Sequence, residues 1–61
     1  MITNEEKLVN LLQDMDVPEG RKRDWHWLNR NLFVRNHLHP DFEEAMVLLS
    51  LILGEQFKKY I

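Results

Sequence analysis

Sixty-one residues with a net charge of −2, 44% hydrophobic residues and no cysteine describe one small domain without disulfides or thiolate metal sites to hold it together. A chain this short buries only about 60% of the surface its unfolded form exposes, which leaves association with another chain as the means of adding stability. The lack of cysteine fits a cytosolic setting.

The charge is small but uneven. In residues 1–20, Lys7 stands against Glu5, Glu6, Asp14, Asp16 and Glu19, a net −4. In residues 21–40, Arg21, Lys22, Arg23, Arg30 and Arg35 stand against Asp24, a net +4. In residues 41–61, Lys58 and Lys59 stand against Asp41, Glu43, Glu44 and Glu55, a net −2. A basic middle between acidic ends suits either a polyanion site or charge pairing within and between chains. The start, Met1-Ile2-Thr3-Asn4-Glu5-Glu6-Lys7, is polar and acidic, unlike the basic opening of a signal peptide. The apolar run from Ala45 to Leu53 would reach roughly 13 Å as a helix, against roughly 30 Å for a bilayer core. These features predict a soluble, cytoplasmic chain.

The first helix is expected from Thr3 to about Met15. Thr3 and Glu6 form a capping box, Glu5 and Glu6 suit the positive end of the helix dipole, and Leu8, Leu11, Leu12 and Met15 make one apolar stripe. Asp16-Val17-Pro18-Glu19-Gly20 ends it, since Pro18 steers Val17 toward extended backbone. The triplet Arg21-Lys22-Arg23 falls short of the basic clusters of about five to eight residues that mark nucleic-acid segments.

Asp24 caps a second helix, Asp24–Arg35, which has two apolar stripes, Trp25/Leu28/Leu32 and Trp27/Val34/Leu38. Two stripes ask for two neighbours, which the first and third helices can supply. Asn29, Asn31 and Asn36 lower its helix preference, so a short or irregular helix is expected, with Asn36 as its stop. The turn Asn36-His37-Leu38-His39-Pro40 leads to Asp41 and Glu44, a second capping box.

The third helix, Asp41–Lys59, is expected to be the longest and the most apolar. Phe42, Ala45, Met46, Leu49, Ile52, Leu53, Phe57 and Tyr60 share its core face, which leaves Val47, Leu48 and Leu51 on the far side. Gly54 marks where it bends, frays or ends. The fold class that follows is all-α, a three-helix domain with a long, very apolar C-terminal helix. Its predicted core is Leu8, Leu12, Trp25, Leu28, Leu32, Phe42, Met46, Leu49, Ile52 and Leu53.

Trp27-Leu28-Asn29-Arg30-Asn31-Leu32 and His39-Pro40-Asp41-Phe42-Glu43-Glu44-Ala45 carry a further indication. Through them, the segment from Pro18 to Leu53 resembles small uncharacterised helical proteins encoded in phages and prophages. The resemblance covers little more than half of the chain and implies no activity or functional residue.

Catalytic and metal chemistry lack their parts. On a continuous helix His26 and His37 would stand roughly 16 Å apart, too far to share an ion beside His39. The hydroxyl residues are only Thr3, Ser50 and Tyr60, and two glycines make no phosphate loop. Thr3 is read as a cap and Ser50 as bonded back to its own helix. The expectation is a non-enzyme with no cofactor and no metal.

Two binding functions remain. A nucleic-acid regulator would use Arg21, Lys22, Arg23, Arg30 and Arg35 on phosphates, with Trp25 or Trp27 stacking a base. A protein-interaction module, a homodimer or a binder of another protein, would bury Val47, Leu48 and Leu51 and recruit Trp27 and Val34. Burial of each of the three contributes on the order of 1.5–3 kcal/mol before the entropy of association. The surplus apolar surface favours the second.

Overall fold

The computed structural model describes residues 2–58. The expectations placed on Lys59 as the end of the third helix and on Tyr60 as part of its core face lie outside the described residues. Among these residues there are three α-helices and no strand: α1 (Asn4–Leu12), α2 (Trp25–Asn36) and α3 (Phe42–Leu53), with 3₁₀ turns at Glu19–Arg21 and Gly54–Gln56.

α1 starts as expected, with Thr3 Oγ1 accepting the Glu6 N–H at 3.2 Å. It ends at Leu12, short of Met15. Asp16 is bonded through both its backbone groups to Asn36 of α2, N–H to Oδ1 at 2.8 Å and C=O from Nδ2 at 3.3 Å. That bond pair draws the chain off the helical path while Met15 still reaches the core.

α2 is neither short nor irregular. Asp24 Oδ1 accepts the Trp27 N–H at 3.1 Å, and the helix then runs regularly for 12 residues. The asparagines do not break it because each amide has work elsewhere. Asn31 Nδ2 donates to the Trp27 carbonyl at 2.9 Å, and Asn29 and Asn36 are buried and bonded to distant backbone. The second stripe on α2 has no helix over it: Val34 and Leu38 are exposed.

The α-helical path of α3 ends at Leu53, earlier than expected. It has 12 residues, the same as α2, and stops where Gly54 takes φ 59, a left-handed backbone that glycine adopts without steric cost. Nor is it very apolar in its surroundings, since only Ala45, Leu48 and Leu49 are buried on it. The capping box at Asp41 and Glu44 does not form. The Asp41 side chain makes no cap bond, and its backbone N–H donates to His39 Nδ1 at 3.0 Å.

α3 is the helix that packs against both of the others. The fully buried leucines are Leu8 and Leu12 on α1, Leu28 and Leu32 on α2 and Leu49 on α3, all five of them expected core positions. Ala45 and Leu48 join them, whereas Trp25, Phe42, Met46, Ile52 and Leu53 are only partly buried at the edge. α3 has two neighbours, so its covered arc is wide and turned toward Leu48 relative to the arc expected from the helical wheel.

Candidate functional site

Phe33 of α2 meets Phe42 of α3 edge to face, with ring centroids 5.8 Å apart, and stacks on His37 at 5.2 Å. One turn earlier on α2, Asn29 Nδ2 donates to the Lys58 carbonyl and its Oδ1 accepts the Lys58 N–H, both at 2.8 Å. The first contact joins α2 to the start of α3, and the second holds the segment after α3 against α2. Between them lies a groove of about 580 Å³. Its walls are Phe33 from α2, Phe42, Glu43, Met46, Val47 and Ser50 from α3, and Phe57 from the pinned segment. The lining is mostly apolar. Ser50 is satisfied by its own helix, donating to the Val47 carbonyl at 2.7 Å, and Glu43 is exposed and makes no ion pair among the described residues.

The five residues expected at a protein interface separate into four places. Leu48 is 7% exposed and belongs to the core, because the arc of α3 facing its two neighbours includes it. Val47 and Leu51 are 59% and 61% exposed, one turn apart on the outer face of α3, and Val47 forms part of the groove rim. At about 100° per residue, Leu48 stands about 100° from Val47, enough for one to be covered while the other faces out. Trp27 is partly buried against the core, with the guanidinium carbons of Arg21 and Arg35 each 5.6 Å from its ring. It is held within the chain and does not join an α3 surface. Val34 is exposed on the side of α2 opposite Leu32, apart from the others.

The five cations expected on nucleic acid are largely matched by the chain's own acids. Arg21 pairs with Asp24 at 2.7 Å, Lys22 with Glu19 at 2.8 Å, and Arg35 with Asp16 at 3.8 Å. Lys22 also donates to Gln13 Oε1 at 3.1 Å. Arg23 and Arg30 are exposed and make no ion pair among the described residues. The carboxyl of Asp24 lies below its ordinary value of 3.8, first because it accepts the Trp27 N–H and second because Arg21 donates to it. Both tryptophans are engaged within the chain: Trp25 packs on the core edge, and Trp27 lies beside the guanidinium groups of Arg21 and Arg35.

Among the described residues, no three His, Cys, Asp or Glu side chains gather as a metal site. His39 serves the fold: Nδ1 accepts from Asp41, so Nε2 carries the hydrogen and donates to the Asp14 carbonyl at 3.1 Å. No described helix is long and apolar enough to cross a membrane. Sequence reasoning missed the groove itself, because it needs Phe33, Phe42 and Phe57 from three separate stretches. The one available signal was Phe33, which lies off both apolar stripes of α2. No family model matches the chain, nor does any curated protein or solved structure.

Proposed function

We propose that this is a small non-enzymatic protein that acts by binding another polypeptide, a second copy of itself or a different protein, through the outer face of α3 and the adjoining groove. One observation carries the reading: Val47 and Leu51 are both more than half exposed, and Val47 also lines an aromatic-walled groove. A groove of this kind between two helices accepts the apolar face of a further helix, and Met46 in its lining adapts readily to different side chains. The setting that the sequence resemblance implies is that of a phage or prophage accessory protein, in the cytoplasm.

The nucleic-acid reading is weaker, because three of its five cations already face carboxylates of the same chain. It predicts affinity for duplex or single strands that falls steeply with salt and disappears when Arg21, Lys22 and Arg23 become glutamine. Saturable, salt-sensitive binding at physiological salt would favour it over the interaction reading.

The direct test places a photoreactive amino acid at position 51 in the cells that make the protein. Illumination should give an adduct with a polypeptide, and Val47→Glu in the same chain should remove it. A folded protein that gives no adduct at all contradicts the reading.

A further inference from the structure

Of the three histidines, His39 is the one with a hydrogen-bond partner on each ring nitrogen. The Asp41 N–H donates to Nδ1 at 3.0 Å, and Nε2 stands 3.1 Å from the Asp14 carbonyl. A backbone N–H can only donate and a carbonyl can only accept, so the ring is held neutral with its hydrogen on Nε2. His37 differs. Its Nδ1 stands 3.1 Å from the Phe33 carbonyl, and that bond survives when Nε2 takes a proton. A second proton on His39 has only Nδ1 to go to, where it displaces the Asp41 N–H.

The position of the ring gives that displacement a consequence. Through Asp14 it holds the connection that follows α1, and through Asp41 it holds the start of α3, 25 and 2 residues away in sequence. The Asp41 side chain makes no cap bond, so the imidazole, and not the carboxylate, steadies the backbone entering α3. Phe42, the next residue, is a wall of the groove. The charged groups around His39 are the carboxylates of Asp14 and Asp41, whose backbone it bonds, and His37 on α2. The Asp16–Arg35 pair stands beside Asn36, whose carbonyl accepts the His39 N–H, and Glu43 and Glu44 occupy the first turn of α3. An imidazolium turned out of its bonds has the Asp14 and Asp41 carboxylates to pair with.

We infer that His39 is a proton-operated latch between the end of α1 and the start of α3. Neutral, it ties Asp14 to Asp41. With a second proton, taken from solvent by a half-exposed ring, it releases the Asp41 N–H, and the backbone leading into Phe42 loosens. The latch does not depend on what the α3 face binds.

NMR of the backbone amides and imidazole rings from about pH 8 to about pH 5, the span in which histidine changes charge, tests it. At the upper end the His39 ring should show the Nε2–H tautomer. On acidification, uptake of its second proton and the shift of the Asp41 amide should follow one curve. Protection of that amide against exchange, relative to an unstructured peptide at the same pH, should fall by about tenfold, the worth of one hydrogen bond. His39→Asn keeps an acceptor for the N–H two residues on but takes up no proton, so its Asp41 amide should stay bonded throughout. A change caused by His37 would persist in that variant. The Nδ1–H tautomer, an Asp41 amide indifferent to the charge on the ring, a ring still neutral at the acid end, or an asparagine variant that titrates like the wild type each overturns the inference. If circular dichroism shows the variant unfolded, the wild-type curves decide alone.

Discussion

Asn36 is a poor helix former at the last position of α2, and its side chain explains its place there. The amide meets the N–H and C=O of Asp16 and also donates to the Leu32 carbonyl at 3.5 Å. Asn29, two turns earlier, grips Lys58 in the same two-bonded way. Between them they tie the connection after α1 and the segment after α3 to the middle helix, at points where a cysteine-free chain has no covalent tie. Replacing either asparagine with alanine leaves backbone groups without partners, so Asn36→Ala should cost roughly 1–3 kcal/mol in urea unfolding. Asp24 gives a charge-dependent counterpart. Its folded-state carboxyl is lowered from 3.8, so the stability it contributes is fully present above that value and is lost as pH falls through the lower folded value. In Asp24→Asn, the urea midpoint should change less than in the wild type across that acidic window.

At the scale of the element, α3 shows how its two faces differ. Leu48→Ala opens a cavity in the core and should destabilise the chain by about 2–5 kcal/mol. Leu51→Ala, one turn from Val47 on the outer face, should change the monomer by no more than about 0.5 kcal/mol. Denaturant titration at low concentration measures the difference, and equal effects would mean that the covered arc is not the one described. The end of α3 rests on Gly54. With φ 59 and ψ −126, it holds a conformation that side chains rarely adopt, while an added Cβ would meet nothing within 4 Å. Gly54→Ala should therefore cost roughly 1–3 kcal/mol through backbone strain rather than a clash, read as a lower melting temperature.

For the molecule as a whole, three short helices share one core, with α3 packed on both partners. Buried asparagine amides and a linked set of charges from Asp16 and Arg35 through Trp27 to Arg21 and Asp24 close its connections. This arrangement also decides where the basic middle segment goes: much of it is spent within the fold. If the outer face of α3 binds a second copy, folding and association are linked, and the melting temperature should rise with protein concentration. Val47→Glu with Leu51→Glu should abolish that dependence while leaving the circular dichroism spectrum helical. A melting temperature unaffected by concentration in the wild type would count against self-association.

Local chemistry determined much of this fold. The starts at Thr3 and Asp24 are capping side chains within reach of their own first turns, the stop at Gly54 is a backbone preference, and the stripes with Leu8, Leu12, Leu28, Leu32 and Leu49 follow from helical period. Tertiary structure decided the rest. A helical wheel gives the angle of Leu48 about its own axis but not how much of that axis two neighbours cover, which is why Leu48 is buried and Val47 and Leu51 are not. The pairs Arg21–Asp24 and Lys22–Glu19 are local, three residues apart, whereas Arg35 counts as surplus charge until folding brings Asp16 beside it. Propensity ranks Asn29 and Asn36 as weak points because it cannot see the backbone of Lys58 and Asp16, which lie 29 and 20 residues away in sequence and meet them only in the folded chain.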